Sequence, residues 1–269
     1  MIKSVQKAMQ ILTILSDSPD APVRLSDVAR QMGLNESTCA HLLETMCDCG
    51  VAERVSRADG YRVGVHAYYI TRNGRYQDEI VKLGEPVLKW MKNKTGHSMV
   101  LVTLKKKHKV VLCRVSGINV FTDSRPSAYY ESLYRYSTSH AILAEMDPVE
   151  REEFYAVNGY PTPEEWPGLY EAGGPQKAYD EIRQRGYELF RFPYDAPEAR
   201  EGEMVVGMAK AVKNGNQVVA ALGVALPNEH GYRCFEGSQQ QWYLTKAEEE
   251  FIGKYLCMAV REIQRRMQF

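Results

Sequence analysis

Apolar residues recur through the first fifty positions with a period of three to four. Val5, Ala8, Met9, Leu12 and Leu15 stand at helical spacing behind Ser4, which predicts a first helix capped by that serine. The run Ser16-Asp-Ser-Pro-Asp-Ala-Pro22 stops it, because its prolines and turn formers cannot continue a helix. A short second helix is expected over 26–32, Gly33 supplies a tight turn, and Asn35 can cap a third helix that ends before Gly50. In the third helix Cys39, Leu42, Leu43 and Met46 form a stripe that must face a core. Ser37, His41, Glu44 and Asp48, with Thr45 beside them, are left on the opposite side. The period then changes to two. Positions 51–55 and 61–65 alternate around Asp59-Gly60, a strong hairpin signal. Three helices, a glycine turn and a hairpin predict a winged helix-turn-helix over 1–65, although an ordinary three-helix bundle with a hairpin shares that order.

The rest of the chain mixes both periods. A linking helix is expected over 66–76, then a helix over 78–94 with Ile80, Leu83, Val87, Leu88 and Met91 on its apolar side, bent or interrupted at Pro86. Strands over 98–104 and 110–115 flank Lys105-Lys-Lys-His-Lys109, a basic run better read as a solvated hairpin tip than as a nucleic-acid patch. Helices follow over 138–146, 148–155 and 175–185, then strands over 187–192, 203–212 and 218–226. Thr245 can cap a long final helix with Phe251, Tyr255, Met258, Ala259 and Ile263 on one face. Helices alternating with hairpins predict an α+β domain, an antiparallel sheet packed by helices, over 77–269.

Charge changes the picture less than it first suggests. The 269 residues hold 34 Lys+Arg and 34 Asp+Glu, which excludes an indiscriminately basic coat protein but leaves room for a local basic surface. Residues 1–72 are balanced too, with eight basic and eight acidic side chains, so any attraction for nucleic acid must come from sidedness. The six cysteines contain no C-x-x-C and read as free thiols of a reducing compartment. The opening MIKSVQKAMQ lacks an apolar run with a cleavage site, and no stretch is long and apolar enough for a membrane span, so a cytoplasmic protein is expected. No G-x-S-x-G, phosphate loop, G-x-G-x-x-G or H-E-x-x-H occurs, and the six histidines are scattered. The expectation is therefore no enzyme, no metal and no cofactor.

The run Leu25-Ser-Asp-Val-Ala-Arg-Gln-Met-Gly-Leu-Asn-Glu-Ser-Thr-Cys-Ala-His-Leu-Leu-Glu-Thr-Met, with Cys49-Gly-Val-Ala-Glu-Arg and Gly60-Tyr-Arg-Val-Gly64, resembles the IclR family of bacterial transcription regulators. The resemblance is strong over 4–66 and continues more patchily through the later elements. It implies a winged helix joined by a linker helix to a ligand-binding domain related to GAF domains, assembled as a homodimer or homotetramer on a pseudo-palindromic double-stranded DNA operator. The implied regulator responds to a small-molecule effector and dimerises through its linker helices; Tyr68, Tyr69 and Ile70 there form an apolar group that either serves as a dimer contact or packs into a core. The competing reading is a ligand-binding or enzymatic α+β protein whose helix-turn-helix serves dimerisation.

In a helix-turn-helix the start of the second helix of the motif meets base edges. Here that start supplies Glu36, Ser37, Thr38 and His41, with Lys3, Lys7, Arg54, Arg57 and Arg62 left to position the phosphate backbone. Residues 35–50 contain no lysine or arginine, and the family carries an arginine where this chain has His41. In the second domain, Ser137, Thr138, Ser139 and His140 open a helix whose amide groups, hydroxyls and imidazole suit a small anion such as a carboxylate; a merely capped helix is the alternative. The family has glycine and lysine where this chain has Ser139 and His140. Its layout adds Asp195, Met208, Gly223 and Ala225 as pocket walls. Ten of the seventeen tyrosines fall between 129 and 194, which is read either as scattered surface tyrosines, the plainer reading, or as an aromatic-lined pocket for an aromatic or bulky acid.

Overall fold

The computed structural model describes residues 2–18, 21–56, 58–71, 78–117, 133–193, 203–226, 234–235 and 244–268. Two compact units divide the chain, 1–76 and 77–269.

The first unit packs α1 (Lys3–Ser16), α2 (Leu25–Met32) and α3 (Glu36–Asp48) against a hairpin of β1 (Ala52–Ser56) and β2 (Gly60–Val63). Ile11, Leu15, Val28, Cys39, Leu43 and Met46 form the centre of its core. Cys39, Leu43 and Met46 are the stripe that helical spacing predicts for α3, but on α1 Val5 and Met9 of the expected face are exposed and Ile11 is buried in their place. Gly33 follows α2 with φ 60 and ψ 32, a left-handed conformation that closes the turn into α3. Asn35 caps α3 by accepting a 2.8 Å hydrogen bond from the Thr38 amide. The starts of the other two helices differ from expectation. Ser4 sits inside the first turn of α1, which Ile2 precedes, and α2 opens one residue early behind Arg24, neither with a capping side chain. A short α4 (Val65–Thr71) follows the hairpin; residues 72–76 of the expected linking helix lie outside the described residues.

The second unit is an antiparallel sheet between two helical layers. Its strands are β3 (Ser98–Lys105), β4 (His108–Val115), β5 (Glu188–Pro193), β6 (Glu203–Asn214), β7 (Gln217–Leu226) and β8 (Cys234–Phe235). They lie in the order β4-β3-β7-β6-β5, with β8 paired to β6. One face packs on α5 (Asp78–Thr95) and α10 (Lys246–Arg266), through Val87, Leu88, Met91, Leu256, Val260 and Ile263. The other carries α6 (Ser137–Glu145), α7 (Pro148–Asn158), α8 (Pro167–Glu171) and α9 (Pro175–Arg185) over Leu104, Ala209 and Ala221. Pro86 does not interrupt α5, which runs as one helix. An internal proline costs about 3 kcal/mol, and burial of Ile80, Val87, Leu88 and Met91 on the sheet offsets it. Thr245 opens α10 with a capping box, its amide donating to Glu248 at 2.9 Å.

Candidate functional site

The open face of α3 is polar. Glu36, Ser37, His41, Glu44, Thr45 and Asp48 are exposed, and Thr38 is half-buried beside its capped amide. His41 Nδ1 lies 3.7 Å from the Glu44 carboxylate. On the hairpin, the register sets Glu53 opposite Arg62, and the guanidinium donates to both carboxylate oxygens at 3.2 and 2.9 Å. That pairing holds the Glu53 carboxyl below its ordinary range and ties up much of the cation expected to meet phosphate. Arg54 is exposed, with its guanidinium 5.7 Å from the centre of the Tyr61 ring. Lys3 is exposed and Lys7 half-buried, while Arg57 lies outside the described residues.

The opening of α6 has similar residue types in opposite surroundings. Ser137, Thr138, Ser139 and His140 are all buried, and Tyr136 supplies no capping side chain. Thr138 Oγ1 and Ser139 Oγ have no hydrogen-bond partner among the described residues. His140 is sandwiched between groups of the protein. Its ring stacks on Trp166 at 3.7 Å, Nε2 donates to the Tyr134 carbonyl at 2.5 Å, and Nδ1 lies 2.8 Å from the Glu188 carboxylate. The carbonyl can only accept, so Nε2 carries a proton and Nδ1 shares one with Glu188. Both ring nitrogens are therefore engaged, and His140 is corrected from ligand donor to the anchor of α6.

Beside that helix start lies a cavity of about 90 Å³. Tyr136, Ser137 and Thr138 form one wall, and Gly207, Gly223 and Ala225 of β6 and β7 form another. Strand register explains which expected residues reach it. Gly207 pairs with Ala225 and Ala209 with Gly223, whereas Met208 pairs with Val224. Side chains alternate faces along a strand, so Met208 is buried in the α5–α10 core and does not line the cavity, one position away from the Gly207 that does. Ser139 is likewise outside the lining, and Asp195 lies outside the described residues. Gly223 is required by contact. A Cβ there would stand 2.5 Å from the Thr138 methyl, a separation that folded chains do not tolerate. Of the tyrosines expected to line a pocket, Tyr136 does so. Tyr134 is in the core under α6, and Tyr129 and Tyr130 lie outside the described residues.

The third wall holds the residues that sequence reasoning missed. Lys109 is 6% exposed and lines the cavity, its Nζ 3.2 Å from the centre of the Tyr136 ring. It is not part of a solvated tip. Strand β4 begins at His108, so Lys109 pairs with Leu104 inside the sheet. The signal was available: Lys109 and Val111 are two apart, and alternation places them on one face. Arg114 also lines the cavity, and its position could not be read from spacing. The β3–β4 register shifts between Leu101, which faces Cys113, and Val102, which faces Val111. Leu112 is the extra residue of a bulge. Five residues apart in a regular strand, Lys109 and Arg114 would face opposite ways; the bulge returns Arg114 to the cavity side.

Residues 4–56 match the IclR helix-turn-helix domain. Over 147 residues the chain is 20% identical to the transcriptional repressor IclR of Escherichia coli (strain K12), covering 54% of this chain and 53% of that repressor. It is 24% identical, with the same coverage of each, to the acetate operon repressor of Salmonella typhimurium. The match spans about half the length of these curated relatives. An IclR homolog from Microbacterium hydrocarbonoxydans, solved in complex with 4-hydroxybenzoate, superposes with a TM-score of 0.66 at 17% identity, over 98% of this chain and 99% of that one. At such identity the likeness shows a common fold, and it extends through both units. Residues 4–56 therefore carry an IclR-type helix-turn-helix domain, and the chain shares its fold with solved IclR homologs.

Proposed function

We propose that the chain is a ligand-responsive, DNA-binding transcription regulator. The observation that carries this reading is the IclR helix-turn-helix domain with a largely exposed polar face on α3. Ser37, Thr38 and His41 meet base edges in the major groove, with Glu36 positioned to accept from a cytosine amino group. Lys3, Lys7, Arg54, Arg57 and the partly neutralised Arg62 supply the phosphate contacts. So few free cations give weak attraction per module, and a dimer on a pseudo-palindromic operator compensates by pairing two recognition helices about 34 Å apart. Val65, Tyr68 and Ile70 on α4 are 75%, 68% and 63% exposed, an apolar group suited to that pairing. The effector is a small organic molecule held in the cavity beside Ser137, Thr138, Gly223 and Ala225, in the cytoplasm. The Microbacterium protein's complex with 4-hydroxybenzoate supports an acid as effector. Binding acts by favouring one arrangement of the DNA-binding modules over another.

Fluorescence anisotropy on the DNA upstream of the chain's own gene tests this reading, with and without candidate acids. Site-specific binding that is lost in Ser37→Ala/His41→Ala, with folding intact, is the expected result. One observation favours the second reading, a helix-turn-helix retained for dimerisation: the exposed face of α3 carries carboxylates and no lysine or arginine. Absence of site-specific binding even at low salt, with an unchanged oligomer in the double variant, would establish it instead.

A further inference from the structure

We propose that His41 sets both the affinity and the base preference of the α3 face, and that it does so as a cation, so that DNA binding strengthens as pH falls through neutrality. The inference rests on the helix-turn-helix meeting DNA through α3. Ser37, His41 and Thr45 follow one another at i, i+4 spacing and all three are exposed, which puts the imidazole in the middle of the open face. Glu36, Glu44 and Asp48 are the charged residues of α3, which contains no lysine or arginine. Imidazole is the ordinary side chain whose charge changes between about pH 5 and 8. His41 is therefore the one position on α3 where a positive charge can arise against a polyanion.

The surroundings make that proton count twice. Nδ1 lies 3.7 Å from the Glu44 carboxylate, a contact between charges rather than a hydrogen bond. Protonated, the ring has two donors. Nδ1–H faces and offsets Glu44, and Nε2–H is left to donate to a guanine edge. Guanine suits a cation because its N7 and O6 both accept, whereas adenine sets a donor beside its N7. Neutral, the ring has one donor. With the proton on Nδ1, Nε2 turns a lone pair towards the guanine acceptors; with the proton on Nε2, the Nδ1 lone pair faces the carboxylate. In both tautomers Glu44 stays uncompensated beside the phosphates.

Neighbouring elements do not supply the charge instead. Packed against α3 are α1, α2 and β1. Lys3 and Lys7 belong to α1, and on α2 Arg30 is paired with Asp27 at 2.7 Å. On β1, Glu53 is paired with Arg62 and the Arg54 guanidinium lies over the Tyr61 ring. None of these forms an ion pair with His41 among the described residues; Glu44 does. Both members of that pair are exposed, so it is weak in the free protein, and the DNA is what holds the proton in place.

The test is fluorescence anisotropy of the full-length chain on the DNA upstream of its gene, at about pH 6 and about pH 8 and constant ionic strength. Parent affinity is expected to be about tenfold higher at the lower pH, within the limit of about tenfold per pH unit for each proton taken up. His41→Arg should bind tightly at both pH values and His41→Gln weakly at both. Calorimetry in two buffers of different ionisation enthalpy should show proton uptake by the parent on binding DNA and none by His41→Arg. Because His41 is exposed, both variants are expected to fold, which circular dichroism checks. A parent whose affinity does not change with pH, or a pH dependence that survives in His41→Arg and His41→Gln, would overturn the proposal. Replacing guanines of the site by 7-deazaguanine should weaken the parent at the lower pH more than it weakens His41→Gln; equal weakening overturns the guanine assignment. Site-specific binding that is flat with pH sinks this inference and leaves the regulator standing. No site-specific binding at either pH sinks the regulator reading, and this inference with it.

Discussion

Two helices of this protein open on nearly the same residues, Ser37-Thr38 with His41 on α3 and Ser137-Thr138 with His140 on α6. On α3 the serine and histidine project to solvent and Asn35 caps the turn. On α6 the same types are buried, the Tyr136 side chain does not cap the helix, and the hydroxyls of Thr138 and Ser139 find no partner among the described residues. Residue type alone therefore does not say what a helix start does. Exposure makes the first set a surface that is cheap to change and free to touch a partner. Burial makes the second set either a cost to the fold or a receptor for something that enters it.

The comparison can be broken most forcefully at His140. Glu188→Ala removes the buried partner of the imidazole and is expected to cost about 3–5 kcal/mol, read by denaturant unfolding. The equivalent change on α3, Glu44→Ala beside His41, should be nearly silent, because both groups are exposed. Should the two variants be equally stable, burial is not what separates the helices.

Alkaline pH should also act on the second unit. Burial, then a hydrogen bond to Glu249, pushes the Tyr187 phenol from 10.0 up to about 12. Burial raises Tyr134 and Tyr155 as well. A raised phenol keeps its proton in the fold after the unfolded chain has lost it, so stability is intact below about pH 10 and falls as pH rises toward 12. Tyrosinate absorbance tracked against unfolding should show ionisation and loss of structure together in that window.

Smaller effects of opposite sign sharpen the contrast. Thr138→Val deletes an unpartnered hydroxyl without changing shape, and should raise stability by about 1 kcal/mol, visible as a higher melting temperature. Asn35→Ala removes a satisfied cap and should lower it by about 1 kcal/mol. Ser37→Ala should stay within about 0.5 kcal/mol of the parent. Arg54→Ala should leave stability equally unmoved while reducing the salt slope of DNA binding by about 1, measured by anisotropy across a salt series.

Much of the first unit was legible because its signals are local. The stripe of Cys39, Leu43 and Met46, the glycine turn and the Asn35 cap each follow from residues within a few positions of one another. The second unit was legible as elements but not as a site. Gly223 and Ala225 line the cavity, but Met208 faces the opposite core, a one-residue difference that only the β6–β7 register decides. His140 is consumed by Tyr134, Trp166 and Glu188, three groups that no spacing brings to it. Lys109 was disguised by the lysines before it, and Arg114 by the bulge. α8 went unanticipated because five residues between turns have too short a period to see.

The bulge at Leu112 has one more consequence. Because it stands opposite no residue of its own on β3, deleting it leaves Lys109, Val111 and Arg114 on the faces they now occupy, at the cost of one leucine's packing. Any one-residue deletion between Lys109 and Arg114 makes them four apart, in phase along a regular strand with no bulge. Strand β4 can thus shorten by one residue within 110–113 and keep both cations on one face, so among related chains that stretch is where a one-residue gap is to be expected.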